Sequence, residues 1–154
     1  MIAASTVAID LDAALGDTGD LWRAWLDSVG DLFGIDAAQL PDDRGEAAVE
    51  LDRRGAGNWR TLLERFTEDR APVYLRRDPA VGAALRAMAE AGCRIGVFTD
   101  APEELARVAL GQLGAGRRVE LVEAGTNALD RLLEQLGAGA IVVRSRSELL
   151  ELTA

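Results

Sequence analysis

Several kinds of side chain are missing or nearly missing from this sequence of 154 residues, and each absence excludes a class of site. There is no histidine, which excludes Ser-His-Asp triads, Cys-His nucleophile pairs and histidine-based zinc sites. The single cysteine, Cys93, excludes an internal disulfide and is consistent with a reducing cytoplasm. Lysine is also absent, so all 17 basic residues are arginines, and any cationic side chain in a site must be an arginine.

Long apolar runs and excess positive charge are missing as well. No apolar stretch reaches the length of a membrane span, and the N-terminal residues lack the pattern of a signal peptide. The formal net charge of −9 argues against a nucleic-acid or anionic-membrane partner. With 49% hydrophobic residues, the composition is typical of one cytoplasmic globular domain, or of one core with a small inserted subdomain.

The order of the predicted elements indicates an α/β fold. Four short apolar runs bounded by turn residues are predicted to be strands: 6–11, 94–99, 119–122 and 140–143. Amphipathic segments are predicted to be helices: from 17 or 18 to about 33, 46–53, 59 to about 70, 79–90, from about 103, 128–136 and 147–152. A strand–helix–strand order at this spacing makes the sheet parallel. We therefore expect a doubly wound parallel sheet that is interrupted once, after the first strand, by helices.

The interrupting helices are rich in aromatic residues. All three tryptophans and two of the three phenylalanines lie between Trp22 and Phe66. This concentration predicts a small helical subdomain with its own core, formed by residues 18–75 and inserted into an α/β core of residues 1–17 and 76–154. The alternative is that these helices simply form a layer on the main sheet.

Two acids at the end of the first strand are the first candidates for chemistry. Asp10 and Asp12 follow the apolar run Val7-Ala8-Ile9, and an acid at the carboxyl end of a parallel strand can face the crevice above the sheet. One carboxylate there can attack phosphorus and form an aspartyl-phosphate, while a second acts as general acid and then base. The alternative is that both acids only end the strand and begin a turn.

The segment 6–18 resembles the first motif of the haloacid dehalogenase (HAD) superfamily, Asp-x-Asp-Gly-Thr after an apolar run. Both acids match, whereas Ala13 and Ala14 stand at the Gly and Thr positions. The resemblance implies a doubly wound core with a helical cap inserted after the first strand. It also implies that Asp10 is a nucleophile and that Asp12 is an acid/base.

The end of the second strand is similar to the second motif of this superfamily, where a hydroxyl holds a phosphoryl oxygen. Thr99 fits this position, and Asp100 stands where the family often has asparagine. The resemblance implies that both bind phosphate, although either could instead cap the next helix. The third motif is a lysine or arginine, and the nearest candidates are Arg117 and Arg118, which could equally be a solvated pair.

The fourth motif, a strand that ends in acids and completes a magnesium site, has no clear counterpart. The fourth strand ends in Arg144-Ser145-Arg146, which places cations where carboxylates are expected. Glu123, with Asp130 further on, is the alternative source of acids, so the predicted Mg²⁺ ligands are Asp10, Asp12 through its backbone carbonyl, and Glu123, and the site is incomplete. Arg144 could instead pair with Asp10 and quench it.

Three functions follow from these features. The first is an HAD-like phosphohydrolase, weak or attenuated, that acts on a small phosphorylated metabolite through an aspartyl-phosphate. The alternative is a catalytically inactive HAD-like domain that serves as a binding or regulatory module. A flavodoxin-like domain ranks last, because the sequence lacks a hydroxyl-rich phosphate loop after the first strand.

Overall fold

The computed structural model of the protein describes residues 4–154, which form one parallel four-stranded sheet with helices on both faces. The strands are β1 (Thr6–Asp10), β2 (Arg94–Thr99), β3 (Leu121–Ala124) and β4 (Ile141–Val143). Their order in the sheet is β3-β2-β1-β4. The chain thus builds outward from β1 to β3 and returns to the other side of β1, which makes the doubly wound sheet that was predicted.

Within residues 4–154, seven α-helices accompany the sheet. They are α1 (Gly19–Phe33), α2 (Arg44–Arg53), α3 (Trp59–Tyr74), α4 (Pro79–Glu90), α5 (Glu103–Gln112), α6 (Ala128–Leu136) and α7 (Arg146–Glu151). A turn of π-helix, Leu11–Leu15, follows β1, and a 3-10 turn, Ala37–Gln39, precedes α2. None of these helices in residues 4–154 combines the length and apolarity needed to cross a bilayer.

The two faces of the sheet bury different helices. Val7, Ile9 and Val97 pack on one face against α4, α5 and α7. Ala8 and Phe98, which point the other way because side chains alternate along a strand, pack against α6. The sheet is therefore covered on both sides, as a parallel sheet requires.

The helical segment 18–75 contains the expected aromatic cluster. The rings of Trp22 and Trp25 lie 5.3 Å apart, and those of Trp25 and Trp59 lie 5.8 Å apart. This cluster continues through Ala101, which precedes α5, to Leu105 and Ala109 on the buried side of α5, so the helices α1–α3 pack on α5 rather than around a wholly separate core. The division of the chain into residues 18–75 and the remainder stays a prediction.

Several boundaries differ from those predicted, and one of them matters for the site. Helix α2 begins at Arg44 rather than at Glu46, because the side chain of Asp43 accepts the Glu46 N–H and caps the helix two residues earlier. Strand β3 begins two residues later than predicted. Helix α3 continues beyond residue 70 through Pro72 to Tyr74.

Candidate functional site

Asp10 ends β1 and faces a cavity of about 1020 Å³ at the carboxyl edge of the sheet. One oxygen, Oδ1, accepts the backbone N–H groups of Asp12 at 3.1 Å and Ala13 at 3.3 Å, which fixes the carboxylate at the start of the π-helical turn. The other oxygen has no hydrogen-bond partner among residues 4–154. Burial raises the pKa of Asp10 above its ordinary value, and the negative charge of Asp12 acts in the same direction.

Asp12 lies beside Asp10 in the same cavity, and all of its accepting positions are engaged. Its Oδ1 accepts the backbone N–H of Thr18 at 2.8 Å and the Thr18 hydroxyl at 2.5 Å. Its Oδ2 accepts the Thr99 hydroxyl and the Arg44 Nη2, both at 2.7 Å. Burial alone would raise the pKa of Asp12, but the charge of Arg44 and the bonds from Thr18 and Thr99 outweigh it and lower the pKa.

Arg44, the first residue of α2, supplies the positive charge between Asp12 and Asp100. Its side chain is buried, with 7% of the residue exposed. Besides Asp12, the guanidinium donates to Asp100 Oδ1 from Nη2 at 2.8 Å and from Nε at 3.1 Å. Nη1 donates to the Thr18 hydroxyl at 2.7 Å, and the Arg44 backbone N–H reaches Asp100 Oδ2 at 3.0 Å.

Helix α2 is also held to the sheet edge by a second close contact. A Cβ added to Gly45 would lie 2.4 Å from the backbone nitrogen of Thr126, so only glycine allows the first turn of α2 to approach the loop after β3 this closely. Arg44 and Gly45 are neighbours in the chain, but Arg44 makes charged hydrogen bonds whereas Gly45 makes a close backbone contact. Together they fix the N-terminus of α2 over the carboxyl edge of the sheet.

Thr99 and Asp100, at the end of β2, are brought together with Asp12 as the sequence indicated. The Thr99 hydroxyl donates to Asp12 and accepts the Ala101 N–H at 3.2 Å. Neither residue caps α5, whose N-cap is Pro102 without a side-chain bond. Both are already bonded within the protein, Thr99 to Asp12 and Asp100 to Arg44.

Arg117 and Arg118, which were expected to bind phosphate, are not brought to the Asp10 site. They precede β3 and so lie at the amino edge of a parallel sheet, whereas Asp10 lies at its carboxyl edge. Neither lines the Asp10 cavity. The positive charge next to Asp12 comes instead from Arg44, which sequence reasoning missed. The absence of lysine indicated that the cation must be an arginine. No local sequence pattern, however, connects Arg44 with Asp100, which lies 56 positions further along the chain.

Glu123, which the sequence predicted to be a metal ligand, is not brought to the Asp10 cavity. Its carboxylate accepts Arg131 Nε at 2.9 Å and Gln135 Nε2 at 2.7 Å, and it borders a different depression beside β3. Asp130 does line the Asp10 cavity.

The residues present do not fit the magnesium ion that the resemblance implies. Within residues 4–154, no cluster of three or more acidic or cysteine side chains could hold a metal ion. Asp12 is ion-paired with Arg44, and β4 ends in Arg144 where carboxylates were expected. Mg²⁺ needs several oxygen ligands in octahedral geometry, and Asp10 with the backbone carbonyl of Asp12 does not supply enough of them.

Arg144 follows β4 and lines the same cavity as Asp10. Its guanidinium carbon lies 5.7 Å from the centre of the Phe98 ring, and its charge acts on Asp10. The two do not form the quenching ion pair that the sequence left open. No other carboxylate in the described part of the chain pairs with the Arg144 side chain.

Known structures have the same fold. CbbY from Rhodobacter sphaeroides, in complex with phosphate, is 16% identical, with 90% of this chain and 76% of that chain covered at a TM-score of 0.64. A candidate beta-phosphoglucomutase from Thermotoga maritima is 15% identical, with 97% and 98% covered at a TM-score of 0.58. No protein-family model and no curated protein matches the sequence. The fold is therefore HAD-like, as the first two motifs indicated.

Proposed function

We propose that the protein is an HAD-type phosphohydrolase of low turnover, which acts on a small phosphorylated metabolite through Asp10. The observation that carries this proposal is the free oxygen of Asp10, which faces a cavity large enough for a small metabolite. In the proposed reaction Asp10 attacks phosphorus, the bond to the ester oxygen breaks, and water then hydrolyses the aspartyl-phosphate. The phosphate bound to the structurally similar CbbY supports a phosphoryl ligand at this fold.

The lining of the cavity supports a compact monoester rather than a polyphosphate. Apolar side chains, including Trp22, Leu26 and Leu40, border it together with more aspartates than arginines. Additional negative charges on a ligand would be repelled by these carboxylates. An uncharged or cationic organic group joined to one phosphate suits the cavity best.

The state of Asp12 is the reason to expect low turnover. A general acid must carry a proton when the leaving oxygen departs, but the lowered pKa of Asp12 keeps it ionised. Its oxygens are also occupied by Arg44, Thr18 and Thr99. Departure of the leaving group must therefore proceed with little help from a proton, so the rate should depend strongly on the acidity of the leaving alcohol.

A second candidate function is a binding or regulatory module without catalysis. The network around Arg44 favours it, because the same contacts that disable Asp12 also hold α2 over the sheet edge. In this case Asp10 would border a ligand site without ever becoming phosphorylated.

Turnover of an aryl and an alkyl phosphate separates the two functions. We expect slow hydrolysis of p-nitrophenyl phosphate, much slower hydrolysis of an alkyl phosphate, and a phosphorylated Asp10 detectable by mass spectrometry. Asp10→Asn should abolish both the turnover and the adduct, whereas Asp130→Asn removes the same charge from the cavity lining and should retain them. If the aryl ester is not hydrolysed and no adduct forms, the phosphohydrolase proposal is wrong and the module remains.

A further inference from the structure

Arg144 is placed where a phosphoryl group bound next to Asp10 would need a positive charge. We propose that Arg144 is the phosphoryl-binding residue of this site and that phosphate binds there without magnesium. The identity of the substrate rests on the phosphohydrolase proposed above, but the binding of an anion by Arg144 does not require turnover.

The topology of the sheet puts Arg144 and Asp10 on the two sides of the crevice where ligands of such folds bind. The strand order reverses between β1 and β4, since the chain runs from β1 to β2 and β3 on one side and returns as β4 on the other. In open α/β sheets this switch point, at the carboxyl ends of the strands, is the usual ligand site. Asp10 ends β1, Arg144 follows β4, and Ile9 pairs with Val143 in the register.

Arg144 is also the one arginine of the cavity lining that has no acidic partner within the described residues. Three arginines line the cavity: Arg23, Arg44 and Arg144. Arg23 is paired with Asp20, and Arg44 with Asp12 and Asp100. The Arg144 side chain lies over the Phe98 ring, a contact that leaves its N–H groups free to donate.

The same position argues against a divalent cation in this crevice. A metal ion next to Asp10 would share the cavity with the Arg144 guanidinium, whose charge already acts on Asp10, and like charges repel. The donor set needed for Mg²⁺ is not present among residues 4–154. The positive charge in the crevice next to Asp10 is therefore supplied by the Arg144 side chain rather than by a metal ion.

A guanidinium can do for a phosphoryl group part of what a metal does. Its planar fork donates two parallel hydrogen bonds to two phosphoryl oxygens. As the free oxygen of Asp10 forms its bond to phosphorus and the ester oxygen leaves with the bonding electrons, Arg144 offsets negative charge on the oxygens that do not react. No oxidant, reductant or second substrate is needed.

Calorimetric titration with inorganic phosphate, in EDTA and at low ionic strength, tests the proposal on the full chain. We expect binding in EDTA that added Mg²⁺ does not strengthen. Arg144→Gln should weaken binding by about tenfold or more, the usual range for a hydrogen bond to a charged group, and Arg144→Lys should weaken it less. Arg146→Gln is the matched control, because Arg146 is paired with Asp78 and lies outside the cavity lining.

Each result has one consequence. Binding that requires Mg²⁺, or that Arg144→Gln and Arg146→Gln weaken equally, overturns the proposal, and so does no binding under either condition. Phosphate binding in EDTA that depends on Arg144, in a protein that neither hydrolyses p-nitrophenyl phosphate nor forms the Asp10 adduct, supports this proposal while it removes the phosphohydrolase. Turnover that requires Mg²⁺ supports the phosphohydrolase and overturns the proposal that phosphate binds without magnesium.

Discussion

The two arginines that flank the acids of this cavity carry the same charge in opposite environments. Arg44 reaches the site from helix α2, is buried, and has its guanidinium bonded to Asp12, Asp100 and Thr18. Arg144 follows β4, is exposed, and has no carboxylate partner in the described chain. The charge of Arg44 is thus neutralised within the fold, whereas the charge of Arg144 remains available to a ligand.

Because of this difference in burial and pairing, one arginine can stabilise the fold while the other can bind a ligand. A buried guanidinium between two carboxylates stabilises the contact of two chain segments, because separating them leaves charges buried and unpaired. An exposed guanidinium contributes little to folding but can bind an anion that enters the cavity. We infer that Arg44 holds α2 on the sheet and that Arg144 binds the ligand.

Removing Arg44 should produce the largest loss of stability. Arg44→Met leaves Asp12 and Asp100 without their shared cation, and the loss of one partner of a buried pair typically costs about 3–5 kcal/mol. We expect about 3 kcal/mol in urea denaturation, since the Asp12 and Asp100 side chains keep 22% and 38% exposure.

The matched control is Arg94→Met, at the opposite edge of the sheet. Arg94 also donates two hydrogen bonds to a carboxylate, that of Glu120, but both side chains are about half exposed. Its loss should remain within about 1 kcal/mol. Equal losses in the two variants would show that Arg44 does not act as a buried anchor.

The close contact of Gly45 predicts that two glycine-to-alanine substitutions change the stability of the fold in opposite directions. Gly45→Ala places a Cβ 2.4 Å from the Thr126 nitrogen, so α2 must shift, at a cost of about 1–3 kcal/mol. Gly82 in α4 has open space around its Cβ position, and Gly82→Ala should stabilise by about 0.5–1 kcal/mol through helix propensity. Thermal unfolding of both variants measures the difference. Stabilisation by Gly45→Ala would mean that α2 does not approach the loop this closely.

The sequence predicted several helices and strands with correct bounds, but it did not predict the contact between Arg44 at the start of α2 and Asp100. The bounds of β2, α4 and α6 were correct because Gly92, Pro79 and Gly137 mark their ends. Asp43 could have predicted the start of α2, since an aspartate followed by glutamate three residues later is a capping pattern. The bonds from Arg44 to Asp100 depend on how distant segments pack, and no local pattern encodes them.

The distance of Arg117 and Arg118 from the site has a different cause. They were selected because they lie near a strand in the sequence, but they precede β3 instead of following it. In a parallel sheet the two ends of a strand lie at opposite edges, so residues that directly precede a strand lie away from Asp10, whereas residues that directly follow one lie at its edge. Arg144 follows β4 and satisfies this condition, whereas the sequence left its pairing with Asp10 open.

The two acids should affect stability in opposite directions. The pKa of Asp12 is lowered from its ordinary 3.8, so its ionised form contributes stability that is present above pH 3.8 and lost as the pH falls through the lower folded pKa. Asp12→Asn should cost about 1.5–3 kcal/mol near neutral pH and should flatten the acid limb of the stability curve.

Asp10 has the opposite sign because its pKa is raised from 3.8. Its protonated form contributes stability that is fully present below pH 3.8 and is lost as the pH rises through the folded pKa. Asp10→Asn should therefore be neutral or slightly stabilising near neutral pH while turnover is lost. Urea denaturation between pH 3 and 8 tests both variants, and a destabilised Asp10→Asn would contradict the raised pKa.

The smallest effect on stability is expected where the effect on binding is largest. Arg144→Gln removes the same charge as Arg44→Met, yet an exposed side chain without an ion pair should change the free energy of unfolding by no more than about 0.5 kcal/mol. The loss of phosphate binding in this variant would then reflect the missing guanidinium and not a damaged fold. A loss of stability comparable with that of Arg44→Met would instead mean that Arg144, too, is held by contacts within the protein, and the distinction between the two arginines would fail.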